Sequence, residues 1–234
     1  MRNISFAAIA LAAILAASYF VLEAQKPGID TESTAAASSV GVQSANAQTA
    51  APARAPETGI LAVTEDDRVL GKRDAPVTII EYASLTCPHC AAFHATTLPK
   101  LKATYIESGQ AKLVYRDFPL DGLALRAAML ARCAPTDRYF PMLEAMFGSQ
   151  ANWARSSNPL RALAQIGRLA GMGDGQIDTC LKDEGGLNLI LARSMEAESD
   201  LQVSSTPTLF VNGVKYPGAR SFEELETIIK PLLK

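Results

Sequence analysis

Two cysteines, Cys87 and Cys90, enclose Pro88 and His89 at a junction between an apolar run, Val77 to Tyr82, and a segment that reads as helix. A Cys-x-x-Cys placed where a strand hands over to a helix is a redox pattern. Proline has its φ preset for the first helical turn and lacks only an N–H that would have been unpaired there, so Pro88 puts Cys87 at the helix N-terminus. Free backbone N–H groups and the positive end of the helix dipole favour a thiolate over a thiol, and a protonated His89 adds to that field. Cys87 is therefore expected to be the nucleophile. Cys90, about one turn in, faces the same sulfur and would resolve a mixed disulfide. A dithiol stabilised in this way makes its disulfide an oxidant.

Other uses of the two thiols are weaker. Most structural zinc sites need four ligands, and only His89 and His94 lie near. A purely structural disulfide across so short a loop is strained and stabilises little. A cysteine hydrolase needs a separately placed histidine base, whereas both histidines sit beside the cysteines on one helix. The other two cysteines, Cys133 and Cys180, are 47 positions apart, each on a segment read as helix. An even cysteine count in an exported chain reads as two disulfides, and closing this loop would contribute about 4 kcal/mol. Two buried thiols serving as small core residues are the alternative.

Export itself is read from the N-terminus. Arg2 precedes a run from Ile4 to Leu22 with no charge until Glu23. Ala16-Ala17-Ser18 suits a signal cleavage site, while about 20 apolar residues also span a bilayer, so residues 1–22 are a signal peptide or a membrane anchor. Residues 23–58 are dominated by Ala, Ser, Thr, Gln and Pro and read as a flexible tether without heptads. Residues 59–234 remain as the globular part, a size that suits one domain. Removing residues 1–58 takes away three basic and four acidic side chains and leaves 19 against 20. A nearly neutral domain with interspersed charges does not suggest nucleic-acid binding.

Within that part, strands are predicted at Val77 to Tyr82 and Lys112 to Tyr115. A helix runs between them from Pro88 to about Ser108, interrupted near Pro99. Thr208 to Val211 and Val214 to Tyr216 flank Asn212-Gly213, a hairpin signal, and Ser221 with Glu224 forms a capping box for a last helix, Phe222 to Leu233. Between Asp121 and Leu201 the pattern is helical: Leu123 to Cys133, Asp137 to Phe147, Leu160 to Leu169, Gln176 to Lys182 and Leu187 to Leu201. A βαβ start and a ββα finish divided by helices describe an α/β thioredoxin fold with an inserted α-helical subdomain at about 121–201.

From about Val77 onward the residues resemble the DsbA-like branch of the thioredoxin superfamily. The resemblance rests on Cys-Pro-His-Cys at 87–90, Phe93, Tyr115-Arg116-Asp117-Phe118-Pro119-Leu120, and Ser205-Thr206-Pro207-Thr208-Leu209-Phe210-Val211-Asn212-Gly213. It implies a cis Pro207, with Thr206-Pro207 packed against the Cys87 sulfur to receive substrate backbone. It also implies that Glu81, six residues before Cys87, relays the proton of Cys90 if buried; an exposed strand-end Glu is the alternative. Thr206 stands where the best-known oxidase of the family has Val, which leaves oxidant strength open. His94 is expected to be a helix-face residue. Trp153 and the methionines read as subdomain core.

The function expected is that of an exported thiol:disulfide oxidoreductase introducing disulfides into secreted or periplasmic proteins, with no metal and no cofactor beyond the redox-active disulfide. The resemblance implies unfolded or reduced exported proteins as substrates and a DsbB-like, quinone-linked membrane protein as reoxidant. A periplasmic monomer is expected, with the N-terminal segment as a possible tether. The rivals are an isomerase or reductase of the copper-tolerance type, which usually needs an oligomer, and a non-catalytic tethered peptide- or metal-binding module.

Overall fold

The central strand is where the architecture starts. In a computed structural model that describes residues 59–233, all seven residues of β2 (Val77–Ala83) are buried, as are all seven of β3 (Ala111–Asp117). Strands covered on both faces read as continuous apolar runs rather than alternating ones, which is why Val77 to Tyr82 stood out. β3 lies parallel to β2, with Glu81 opposite Tyr115. β4 (Thr208–Val211) runs antiparallel on the other side of β2, and β5 (Val214–Pro217) closes the hairpin. Asn212 at the turn has a positive φ of 44° and Gly213 one of 86°, the conformation that an Asn-Gly hairpin turn requires.

One strand had no signal strong enough to find. β1 (Arg68–Leu70) is three residues long and pairs antiparallel with β3, so the sheet order is β1-β3-β2-β4-β5. The segment before it is fastened by Arg116. This guanidinium meets both Asp67 oxygens at 3.0 and 2.9 Å, the Ile60 and Ala62 carbonyls at 2.5 and 2.7 Å, and the Tyr82 hydroxyl at 3.0 Å.

After β2 the chain enters α1 (Pro88–Thr96) and α2 (Leu98–Leu101), the break falling at Thr97, near Pro99 as expected, with Pro99 in the first turn of α2, followed by a π-helical turn at Lys102–Ile106. Pro231 ends the final helix early: α9 is Phe222–Ile229, with a 3-10 turn after it, and the Ser221–Glu224 capping box is present. β3 and β4 are separated by the helical insertion, α3 (Gly122–Arg132), α4 (Tyr139–Gly148), α5 (Gln150–Ala154), α6 (Pro159–Leu169), α7 (Asp174–Leu181) and α8 (Glu184–Leu201). Only the short α5 lacked a sequence signal. Leu130, Met142, Leu143, Met146, Trp153 and Leu163 fill its core, and the Trp153 Nε1–H donates to the Met146 carbonyl at 2.7 Å. This is a thioredoxin fold with an inserted helical subdomain. Among the described residues no helix is long and apolar enough to cross a membrane. The apolar run and the tether, residues 1–58, lie outside the described residues.

Candidate active site

Cys87 is the N-cap of α1, in extended conformation at φ −78° and ψ 119°, with Pro88 starting the helix. Its N–H donates to the Ser84 carbonyl at 3.0 Å, and its own carbonyl accepts from the Ala91 N–H at 3.1 Å. A clamp arrives from the inserted subdomain. The Gln150 Nε2 amide donates to the carbonyls of Leu85 at 2.8 Å and Cys87 at 3.0 Å, holding the turn from both sides of Thr86. Thr86 is tied in as well, since its hydroxyl donates to Asp121 Oδ2 at 2.7 Å while Asp121 Oδ1 caps α3 through the Ala124 N–H.

Both thiols are free and buried, Cys87 4% exposed and Cys90 fully covered, beneath the exposed Pro88 and His89. Their proton affinities are driven apart. A hydrogen bond from the Cys90 thiol is the largest influence on Cys87; the Thr206 side chain and the backbone N–H groups of Cys90 and His89 act with it. Against the opposing effect of burial they bring the Cys87 pKa down to about 5. Cys90 is pushed far upward by burial, by its donation to Cys87 and by the negative charge of Glu81. The pair thus consists of one ionised sulfur at neutral pH and one proton-bearing partner.

Across from Cys87 the Thr206–Pro207 peptide is cis. The Cys87 S–H reaches the Thr206 carbonyl at 3.2 Å, and Thr206 Oγ1 is buried with no other partner, so its O–H is free to serve the sulfur once ionised. Pro207 offers no N–H, and its carbonyl accepts from Gly218 at 2.8 Å. Thr206 and Pro207 therefore lie directly beside the reactive sulfur, at the start of β4.

Glu81 is fully buried in β2, and its Oε2 meets the Nε2 of His94 at 2.9 Å. His94 lies on a face of α1, as expected from the sequence, and that face is the covered one. It is 7% exposed, stacks on Phe147 with ring centroids 4.1 Å apart, and meets Tyr115 edge-on at 6.0 Å. The reason is helical periodicity: Cys90, Phe93, His94 and Thr97, at spacing i, i+3, i+4 and i+7, share the covered face. That spacing was present in the sequence. Gln150 and the Thr86–Asp121 contact carried no comparable signal. Elsewhere, Cys133 and Cys180 form a disulfide with Cα atoms 6.1 Å apart, joining the end of α3 to α7.

A four-residue dithiol loop capping a helix, aimed at a cis proline on the neighbouring strand of a mixed sheet, defines the thioredoxin class. Sequence comparison agrees, with a thioredoxin family model matching residues 63–231. A Rickettsia conorii chain named as a protein-disulfide oxidoreductase is 33% identical over 173 residues, covering 74% of this chain and 62% of its own. The chain thus spans about 60% of the length of the Rickettsia relatives it matches. The Bacillus subtilis disulfide bond formation protein D is 27% identical, over 71% of this chain and 77% of its own. Among solved structures, Wolbachia pipientis α-DsbA1 superposes with a TM-score of 0.71 at 32% identity, covering 74% of this chain and 94% of that one. The chain belongs to the DsbA-like branch of the thioredoxin family.

Proposed function

We propose that this chain is an exported thiol:disulfide oxidoreductase that passes the Cys87–Cys90 disulfide to reduced proteins. The observation that carries the reading is the Cys87 sulfur: set at the N-cap of α1 ahead of Pro88, hydrogen-bonded by Cys90 and lowered to a pKa of about 5 beside a cis proline. A substrate thiolate attacks the Cys87 sulfur, the bond to Cys90 breaks, and Cys90 leaves with a proton from Glu81. A second substrate thiolate then attacks the substrate sulfur of the mixed disulfide and expels Cys87 as a stable thiolate. Extended substrate backbone lies along Thr206 and Pro207, where the missing N–H leaves the strand start open. Relatives named as a protein-disulfide oxidoreductase and as a disulfide bond formation protein support this activity. The substrates are unfolded or reduced exported proteins in the periplasm, and a DsbB-like quinone-linked membrane protein restores the disulfide. The working unit is a monomer exported by residues 1–22, and the Cys87–Cys90 disulfide is the group that carries the electrons.

Isomerase or reductase action would use the same four motif residues, so the potential decides between them. Titration of the Cys87–Cys90 couple in glutathione buffers should give a value nearer the roughly −120 mV of strong oxidants than the roughly −270 mV of thioredoxin. A value at the thioredoxin end would replace the oxidase with a reductase. Alkylation of Cys87 at pH 5 no faster than that of an ordinary thiol would leave only a peptide-binding module.

A further inference from the structure

Resting on the exchange reading above, we propose that Glu81 and His94 act as one proton-holding pair for the resolving sulfur, with His94 the positioning residue that lets Glu81 carry and return the proton of Cys90.

The leaving sulfur has a problem that the nucleophile does not. Cys90 is fully covered, and burial together with the nearby Glu81 charge disfavours its thiolate, so it leaves readily only if a proton arrives with it. Solvent has no direct route to this sulfur. Glu81 is the carboxylate within electrostatic reach, and it is itself fully buried. A lone buried carboxylate is costly when ionised, and a lone buried carboxylic acid surrenders its proton reluctantly. The 2.9 Å contact to His94 Nε2 changes this, because the two groups can share one proton across the bond. Glu81 Oε1 and His94 Nδ1 are both buried and take no other hydrogen bond, so no second partner commits the pair to one protonation state.

The surroundings keep the pair in place without competing for its proton. Phe147 of α4 stacks on the imidazole, and Phe93 meets it edge-on at 5.8 Å. The titratable groups facing the pair are Cys90 on α1 and Tyr115 on β3, with Tyr139 of α4 next to Tyr115 at 6.3 Å. Both tyrosines are held protonated by burial. Further along β3, Asp117 is neutralised by Arg132 at 2.5 Å, and the Arg68 guanidinium lies over the Tyr139 ring.

The step balances as follows. A substrate thiolate bonds to the Cys87 sulfur, the Cys87–Cys90 bond breaks, and its electron pair remains on Cys90. One proton passes from the pair to that sulfur, leaving Glu81 as carboxylate and His94 as neutral imidazole with Nε2–H directed at it. When a disulfide oxidant later forms a mixed disulfide with Cys87, the Cys90 sulfur attacks Cys87 and its proton returns to the pair.

The test follows reduction of the oxidised full-length protein by dithiothreitol in acid-quenched samples, from pH 4 to 9, with each rate divided by the dithiothreitol thiolate concentration. The wild type should show a normalised rate that falls through one inflection as the pair loses its proton. His94→Gln keeps an N–H donor for Glu81 but leaves the carboxyl to hold the proton alone; it should react about 10- to 100-fold more slowly on the acid side, with the inflection displaced from its wild-type position. A His94→Gln profile superimposable on the wild type overturns the proposal. Should that variant fail to fold, nitrogen-15 spectra of the oxidised wild-type imidazoles decide: the His94 ring must titrate at the kinetic inflection, and a ring whose protonation is constant across it overturns the pair. The exchange reading fails separately, by ordinary alkylation of Cys87 in the reduced wild type at pH 5.

Discussion

At Cys87 a single sulfur atom links helix geometry to redox direction. An ordinary cysteine titrates near 8.5, and here the hydrogen bonds of Cys90, Thr206 and the first turn of α1 bring the folded value to about 5. The ionised sulfur exists only in the dithiol form, so its stabilisation belongs to that form alone. Below pH 5 the thiol is protonated folded or unfolded and nothing is gained. Between pH 5 and about 8.5 the gain grows, and above that it is complete. The reduced protein should therefore melt higher than the oxidised one at pH 7.5, by several degrees, on the scale of about 2–4 °C per kcal/mol for a domain of this size. That gap should close as the pH is lowered to 5. Calorimetry on both redox forms at pH 5, 6 and 7.5 measures it, and a gap that is absent or widens toward acid would contradict the thiolate assignment.

At the level of elements, the site is a set of junctions, and their legibility in the sequence differed for physical reasons. The β2–α1 junction was readable because Pro88 and the buried run before it are local signals, and the Asn212-Gly213 hairpin for the same reason. β1 was not, since three residues at a sheet edge carry no usable period. His94 could have been found from its helical spacing with Cys90, but Glu81, its partner, lies 13 positions earlier on another element. Gln150 was invisible altogether. Its contacts with Leu85 and Cys87 span 65 and 63 positions, and nothing in a polar residue on a five-residue helix announces them. Those contacts make α5 part of the nucleophile's support. Gln150→Leu removes a buried donor from two carbonyls, of which Cys87 O retains the Ala91 N–H. The expected result is a loss of about 1–3 kcal/mol in urea unfolding. Its specific signature is a rise in the pH midpoint of Cys87 alkylation, because the turn that aims the helix N–H groups at the sulfur loosens. An unchanged alkylation profile would mean that Pro88 and the helix cap hold the turn unaided.

For the molecule as a whole, the apolar cores show how two substructures share one site. One cluster of buried residues runs from Ala83, Cys87, Cys90 and Tyr115 into the helical insertion at Leu130, Met146 and Trp153, so the dithiol sits on the seam between sheet and subdomain. α3 spans that arrangement. Its first end is capped by Asp121, which also holds Thr86 beside the nucleophile, and its last end leads into Cys133. Eleven helical residues at about 1.5 Å each separate the two ends by roughly 17 Å, so the second disulfide acts on the subdomain and not on the reacting sulfur. Its contribution comes from the loop of 47 positions that it closes in the unfolded chain, about 4 kcal/mol. Replacing both cysteines, Cys133→Ser with Cys180→Ser, avoids a stray thiol and should lower the guanidinium unfolding free energy by about that amount. The Cys87 alkylation rate and the potential of the Cys87–Cys90 couple at 25 °C should stay as in the wild type, because Asp121 and Gln150 still hold the turn. Intact stability in the double variant would show that the unfolded chain gains no freedom when this loop opens. A shifted potential would show that strain at one end of α3 reaches the sulfur at the other.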